Sequence, residues 1–247
     1  MPGGHRGRDR GLDPVDRHRR RQDADQGPLT NRVSGGIGAA FVLAAALAIV
    51  LTGPLLLFNP WLVSAEQARH GVAASLDTDQ ANVDRVTVGM LRDLFVDGGF
   101  AESLDGDTPI LDPSERSHMA DVGGLVRILA VLEAVAIVVL LISAWLLRNE
   151  QARRGRLLLW AALAVGAVAI VLGVFFAVAF DTAFAAFHAL FFKQGTWQFG
   201  PDSNLIRLFP EAFWFETSLL AGLSIILSAA LAVWLARRAM RSGAAGH

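Results

Sequence analysis

The chain has 247 residues, a formal net charge of −1 and a mean hydropathy of +0.43, and 53% of its residues are hydrophobic. This composition excludes an ordinary soluble domain, because the apolar residues are concentrated in long runs. Cysteine is absent from the sequence, which excludes disulfides, thiolate nucleophiles and cysteine metal sites.

Four apolar runs are each long enough to cross a membrane. They cover residues 33–58, 122–147, 157–180 and 217–236. A helix needs about 20 apolar residues to cross the hydrocarbon core. The second run alone contains charged residues, Arg127 and Glu133. We therefore predict an all-α membrane protein, with a four-helix transmembrane domain over residues 33–240 and two outer loops, residues 59–121 and 181–216.

Arginine is concentrated on one predicted side of the membrane. Residues 1–32 contain eight arginines, the link 148–156 contains four, and residues 237–247 contain three. Short loops rich in Lys and Arg stay in the cytoplasm, so we expect both termini, including the tail 241–247, to be cytoplasmic. Residues 1–32 are too polar to bury a core and are predicted to be disordered. The alternative for this tail is binding to anionic lipid or nucleic acid, although no nucleic-acid partner is expected for the protein.

The first outer loop contains several structured segments and is predicted to form a small extracytoplasmic cap. Residues 61–71 continue as helix, and residues 82–97 place apolar side chains at helical spacing, which predicts an amphipathic helix. Residues 100–111, with Asp105-Gly106-Asp107 at their centre, predict a β-hairpin.

The stretch "SERSHMAD", residues 114–121, lies directly before the second apolar run. Asp112, Pro113 and Glu115 are typical of a helix start with a capping box, which predicts a helix from residue 113 to about residue 147. Glu115, His118 and Asp121 then fall on one face, three residues apart. A flanking carboxylate can fix the tautomer of His118 and raise its basicity. The alternative is an ordinary helix start with solvated charges.

A second histidine, His188, lies among phenylalanines after the third apolar run. The stripe of Phe180, Phe184, Phe187 and Phe191 is typical of packing. An imidazole in such surroundings costs free energy unless it has a partner, and Asp181 is two turns away, too far for a direct bond. We therefore expect the partner of His188 at the outer end of the second span.

Two imidazoles at one membrane surface are suited to acid–base chemistry on a lipid ester. The alternative is that His118 and His188 bind zinc together with Asp121 or Glu115. Their spacing matches no local metal motif.

Two sequence blocks resemble the signature blocks of the bacterial lipoprotein intramolecular transacylase (Lit) family. They are "ERSHMADV" before the second run and "FHALFFKQGTWQFGPDSNLIRLFPEAFWF" after the third. The resemblance covers about residues 33–240 and implies a multi-pass protein of the bacterial cytoplasmic membrane. It also implies transfer of an acyl chain from the sn-2 ester of a lipoprotein's diacylglyceryl group to the α-amine of its N-terminal cysteine. The family's proposed catalytic histidines correspond to His118 and His188.

Such a reaction needs a hydrogen-bond donor for the oxyanion that forms at the ester carbonyl. Lys193, Trp197 and Arg207 are the candidates, and the sequence does not choose among them. We expect no cofactor and no resident metal, and the partners are membrane lipids and lipid-modified proteins. The sequence leaves the oligomeric state open.

Charges inside a span usually face the bundle and have partners. We predict that Arg127 reaches Asp181 or Glu216, at the outer ends of the third and fourth spans. Glu133 has no partner that the sequence identifies, and a structural contact and a functional role both stay open for it.

A lipid-modified substrate requires a site that opens sideways to the outer leaflet, and we expect Phe184, Phe187, Phe191 and Leu94 to line the opening. Two other functions remain open: a metal-dependent membrane hydrolase acting on lipid, with the same histidines and Asp121, and a non-catalytic four-span scaffold.

Overall fold

The computed structural model describes the backbone of residues 14–244 and the side chains of residues 35–241. This part of the chain contains nine helices and no β-strand. In chain order they are α1 (Pro14–Leu56), α2 (Pro60–Arg69), α3 (Val72–Ser75), α4 (Gln80–Val96), α5 (Pro113–Leu146), α6 (Gln151–Val178), α7 (Phe180–Phe191), α8 (Asn204–Leu208) and α9 (Glu211–Ala244).

Four of these helices are long and apolar enough to cross a membrane. The candidate spans are Gly35–Leu56 in α1, Pro113–Leu146, Gln151–Val178 and Glu211–Arg241 in α9. Each contains most of one predicted apolar run, so the prediction of an all-α protein with four spans is confirmed.

α1 begins at Pro14, inside the segment that composition predicts to be disordered. A helix that is already nucleated in the span can extend outward without a second nucleation cost. The predicted disorder of residues 1–13 lies outside the described residues and stays a prediction, as does the structure of residues 245–247 in the C-terminal tail.

Small side chains lie where the spans approach one another. α1 contacts α5, α6 and α9, and α6 runs along α9. A Cβ atom added at Gly53 would lie 2.6 Å from the Cβ of Ser224, and one at Gly155 would lie 2.9 Å from the carbonyl oxygen of Ala236. Lipid offers no hydrophobic driving force between helices, so close contact through small residues provides the association.

The short helices α2, α3, α4 and α8, with the loops that join them, form a cap at one end of the bundle. Its core is the buried face of α4, where Val83 and Val86 are fully buried, packed against residues such as Phe100 and Leu208. α4 begins at the N-cap Asp79 and matches the amphipathic helix predicted over residues 82–97.

The β-hairpin predicted for residues 100–111 is wrong. One backbone hydrogen bond joins its two sides, from the Ile110 N–H to the Glu102 carbonyl at 2.8 Å. The turn is stabilised by its own residues, because the Asp105 side chain accepts hydrogen bonds from the N–H groups of Asp107 and Thr108. Two strands alone are only marginally stable, and the segment is instead held by side chains that pack into the cap core, Phe100 among them.

The third span does not continue straight into the next helix. Ala179 has φ −141° and ψ 49°, which breaks α6 from α7. α7 therefore carries His188 back towards the start of α5.

Candidate active site

The start of α5 is fixed by the predicted capping box. The Asp112 side chain accepts the Ser114 and Glu115 N–H groups at 2.7 and 2.9 Å. Glu115 Oε2 in return accepts the Asp112 N–H at 2.8 Å. These bonds satisfy donors that a helix start leaves free. His118 follows one turn later and is buried, with 6% of its surface exposed.

Glu115 does not orient His118, so the prediction that this flanking carboxylate fixes the His118 tautomer is wrong for Glu115. Its Oε1 accepts the Leu205 N–H at 3.1 Å and also the hydroxyl of Ser203. Glu115 is 2% exposed. The carboxylate therefore joins the start of α5 to the start of α8, and its acceptor positions are occupied there.

Asp121 is exposed and makes no hydrogen bond to His118 among the described residues. Its carboxylate therefore does not fix the tautomer of His118. The solvated-charge alternative therefore describes Asp121 well, whereas His118 itself is buried.

His188 has a backbone partner that fixes its tautomer. Its Nδ1 lies 2.8 Å from the Phe184 carbonyl oxygen, one turn earlier in α7. A carbonyl only accepts hydrogen bonds, so Nδ1 carries the proton in the neutral ring and Nε2 keeps a free lone pair. Burial lowers the pKa of His188, and the hydrogen bond to Phe184 acts in the opposite direction.

The two histidines come together although 70 positions separate them in the sequence. Their ring centroids lie 6.1 Å apart with 29° between the ring planes, inside the range of roughly 4–8 Å that one shared ester or bridging water allows. Nδ1 of His118 is buried and has no hydrogen-bond partner among the described residues. The pair thus has imidazole nitrogens that no described protein group engages.

An aromatic box encloses the histidine pair. We define it as the five rings that contact either imidazole, Phe184, Phe187, Phe192, Trp197 and Phe199. The centroids nearest to His118 are those of Phe192 at 5.0 Å and Phe199 at 5.7 Å. Phe184 and Phe187, which the sequence placed in a packing stripe and at the lateral opening, are walls of this box. The sequence indicated no such role for Phe192 and Phe199, both of which lie within the second signature block.

A tight turn brings Trp197 over His188. The Thr196 N–H donates to the Lys193 carbonyl at 3.2 Å, and Gly195 has φ +85°, which favours glycine at that position. The indole ring then lies 4.8 Å from the His188 ring, centroid to centroid. The Trp197 Nε1–H group is buried and has no hydrogen-bond partner among the described residues.

The other two candidate oxyanion donors lie elsewhere. Lys193 is exposed on the turn. Arg207 donates to Asn204 Oδ1 at 3.2 Å and lies 3.9 Å from Asp77 Oδ2, both in the cap. Of the three candidates, Trp197 alone contacts a histidine of the pair.

The predicted partners of Arg127 are wrong. Arg127 Nη2 lies 2.7 Å from Asp97 Oδ1, and Nη1 lies 3.4 Å from the Leu94 carbonyl oxygen. Asp97 is the C-cap of α4 and has a left-handed backbone, at φ +60°, so the Leu94 carbonyl in the last turn of α4 can accept a hydrogen bond from Arg127. A guanidinium at a helix C-terminus is favourable because it meets the negative end of the helix dipole, so Arg127 binds α4 instead of Asp181 or Glu216.

The remaining charged residues have separate surroundings. Asp181 is exposed in the first turn of α7, and Glu216 pairs with Arg69. Glu133 accepts a hydrogen bond from the Thr52 hydroxyl, which joins α5 to α1 inside the bundle. A structural contact for Glu133 is thus present.

Comparison with known proteins identifies the family. A family model described as lipoprotein intramolecular transacylase Lit matches residues 39–214. The solved structure of the membrane integral lipoprotein intramolecular transacylase Lit from Bacillus cereus has a TM-score of 0.76 and 19% identity, covering 86% of this chain and 98% of that chain.

Two variant structures of the same Bacillus cereus protein are similar. One has a histidine replaced by arginine, with TM-score 0.73, 18% identity and coverage of 91% and 100%. The other has it replaced by alanine, with TM-score 0.71, 18% identity and coverage of 88% and 98%. No sequence among the curated proteins matches the chain. The family match spans most of the sequence and the structural matches share its fold, so this chain is a multi-pass membrane protein that belongs to the lipoprotein intramolecular transacylase (Lit) family.

Proposed function

We propose that the protein moves an acyl chain within a lipoprotein, from the sn-2 ester of its diacylglyceryl group to the α-amine of its N-terminal cysteine. The observation that supports this most strongly is the stacked pair of His118 and His188 inside the aromatic box. The reaction needs one group that takes a proton from the amine and one that gives a proton to the glycerol oxygen. Two imidazoles divide these tasks.

The tautomer of His188 supports its role as the base in this proposal. Its Nδ1–H group is directed to the Phe184 carbonyl, so Nε2 is the free base and takes a proton as the amine nitrogen attacks the ester carbonyl carbon. The carbon–nitrogen bond forms, the bond from the carbonyl carbon to the glycerol oxygen breaks, and the proton passes from His188 to His118, which gives it to that oxygen. Both imidazoles are then neutral, as they were before the reaction.

A covalent acyl-enzyme is not required. The nucleophile and the ester belong to one molecule, so a site that holds this molecule bent supplies the proximity effect. The chain has no cysteine to act as a nucleophile. This route therefore fits the residue types that are available.

Trp197 supplies the oxyanion donor in this proposal. Its indole N–H is buried beside His188 without a partner, and a preorganised donor at such a position typically contributes about 10²–10³-fold to the rate. Trp197→Phe keeps an aromatic ring against His188 and removes the N–H group. We expect this variant to reduce transfer by about 10²-fold with little change in the amount of folded protein.

The acyl chains enter from the side, along α7. Phe187, Leu190 and Phe191 are 42%, 76% and 48% exposed, and Phe187 is also a wall of the box. A lipid-anchored substrate stays in the bilayer, because each buried CH₂ contributes about 0.8 kcal/mol to attachment. Leu94, which the sequence placed at this opening, is buried in the cap core between α4 and α5 instead.

The proposed orientation places the cap and the histidine pair outside a bacterial cytoplasmic membrane and both termini inside. Trp61 is exposed at the cap end, and Trp145, Trp160 and Trp234 are exposed at the other end. Tryptophan prefers the two membrane–water interfaces, and the arginine-rich link 148–156 lies at the end opposite the cap. A topology reporter fused at Asp107 is expected to be external.

The proposal is tested by the N-terminal lipid structure of lipoproteins, measured by mass spectrometry in cells with and without the protein. His118→Ala and His188→Ala are each expected to abolish the lyso-form product, and the double variant is expected to be little worse than either. Asp121→Asn is the matched control, since it changes a nearby exposed charge and is expected to cost less. Undiminished product from folded, membrane-inserted His188→Ala protein overturns the assignment.

A further inference from the structure

A second group of ionisable side chains lies where α2 meets α9. Glu66 and His70 are one helical turn apart at the end of α2, and Glu216 lies in α9. One ligand atom from each lies within 4.8 Å of the other two. The His70 Nε2 atom is 3.9 Å from Glu66 Oε2 and 3.6 Å from Glu216 Oε1.

The group has buried atoms that lack hydrogen bonds. Glu66 is 7% exposed, and neither its Oε2 nor His70 Nε2 has a hydrogen-bond partner among the described residues. The nitrogen–oxygen distances exceed the range of about 2.7–3.2 Å for a hydrogen bond. Neighbouring ligands of one zinc ion lie about 3.3–3.6 Å apart when each metal–ligand bond is about 2.0–2.2 Å. The 3.6 Å distance falls in this range, and the 3.9 Å distance lies just beyond it.

We infer that Glu66, His70 and Glu216 form a binding site for Zn²⁺. An imidazole nitrogen with two carboxylate oxygens is a ligand set that zinc accepts, whereas calcium and magnesium prefer oxygen alone. Three protein ligands leave a fourth position for water or another oxygen ligand. The bound ion joins the cap to α9. Its ligand Glu216 lies two residues after Trp214, and the Trp214 ring is 6.4 Å from the Phe184 ring in the aromatic box.

Arg69 competes with the ion for this site. Its guanidinium lies 3.3 Å from Glu66 Oε2 and also pairs with Glu216. The Arg69 side chain is 57% exposed, so it can turn into solvent when zinc binds. The arginine neutralises the two carboxylates in the metal-free protein, and zinc replaces it.

The test uses the full-length protein in detergent, stripped of metal with a chelator and then titrated with Zn²⁺. Bound metal is measured by elemental analysis and calorimetry, and the unfolding temperature is followed. We expect one ion per chain and a higher unfolding temperature with zinc. Glu216→Gln and His70→Ala are expected to weaken zinc binding by at least about tenfold.

Arg69→Gln provides the sharper result, because it removes the competing cation. An exposed ion pair contributes up to about 1 kcal/mol, so zinc binding is expected to tighten by up to about fivefold. An adventitious surface site does not respond in this way. Should His70→Ala fail to fold, Arg69→Gln and Glu216→Gln still decide the question.

His188→Ala is the matched histidine control, and zinc binding is expected to survive it. Zinc binding that is lost in His188→Ala and retained in His70→Ala places the metal at the histidine pair and overturns the inference. Absence of saturable zinc binding also overturns it. Neither result depends on transfer activity, so the proposed transacylase function stands or falls separately.

Discussion

Glu115 is expected to hold the fold and to contribute little to the chemistry. Its carboxylate accepts hydrogen bonds from the Asp112 N–H at 2.8 Å, the Leu205 N–H at 3.1 Å and the Ser203 hydroxyl. A hydrogen bond to a charged group contributes about 1.5–3 kcal/mol. With each bond at the low end of that range, Glu115→Ala is expected to lower the free energy of unfolding by about 4–5 kcal/mol.

Glu115→Gln separates the two roles more cleanly. The amide oxygen can still accept from α8, but the amide NH₂ then faces the Asp112 N–H, and one hydrogen bond is lost. A loss of about 2 kcal/mol corresponds to a decrease of about 4–8 °C in unfolding temperature for a chain of this length. Thermal unfolding in detergent measures this decrease, and mass spectrometry of the lipoprotein product measures transfer per folded molecule, which is expected to be nearly unchanged.

Asp121→Asn is the control for Glu115→Gln, since Asp121 is exposed and its replacement is expected to leave the unfolding temperature unchanged. The reasoning is refuted if Glu115→Gln keeps the wild-type unfolding temperature and reduces transfer a hundredfold. That result would return Glu115 to the role of orienting His118.

Three further outcomes are expected. Arg127→Gln removes the pair with Asp97 and a cap of α4, and is expected to destabilise the protein by about 1 kcal/mol in thermal unfolding; a wild-type unfolding temperature contradicts this. Gly53→Val places side-chain atoms against Ser224 and is expected to cost about 1–3 kcal/mol, part of which Ser224→Gly restores. Because burial lowers the pKa of His188 below its ordinary 6.5, the neutral base persists on acidification, and transfer is expected to fall only below pH 6.5. A decrease that begins above pH 6.5 opposes the assignment of His188 as base.

The sequence was sufficient for the features that depend on local patterns. Hydropathy located the four spans, because a span is defined by its own apolar length. The capping box at Asp112 and Glu115 and the amphipathic helix α4 followed from residue spacing within a few turns. The closeness of His118 and His188 was expected from the cost of burying an imidazole without a partner, but the hydrogen bond that meets this cost is made to the Phe184 carbonyl in the same helix.

Features that depend on contacts between distant elements were not predictable in this way. Arg127 had carboxylates available on several elements, and its choice of Asp97 depends on where α4 ends and how it lies along α5. The Glu115 carboxylate accepts hydrogen bonds from the start of α8. This helix is only five residues long and has no periodic sequence pattern that predicts it. The β-hairpin prediction was wrong because it rested on a local turn pattern, whereas the contacts that stabilise this segment are with the cap core.

The carboxylates near the site have structural roles, and this limits how the proposed chemistry can operate. Glu115 is bound to the starts of α5 and α8, and Asp97 is bound to Arg127 at the end of α4. Within the described residues no carboxylate accepts a hydrogen bond from either imidazole, so no fixed negative charge assists the protonated form of either histidine by direct contact. Rate acceleration must then come from the bent substrate, from the Trp197 N–H group and from a proton passed between two imidazoles 6.1 Å apart. An aromatic box favours such a mechanism once the substrate displaces water from it, because hydrogen bonds to the developing oxyanion are stronger where water is excluded.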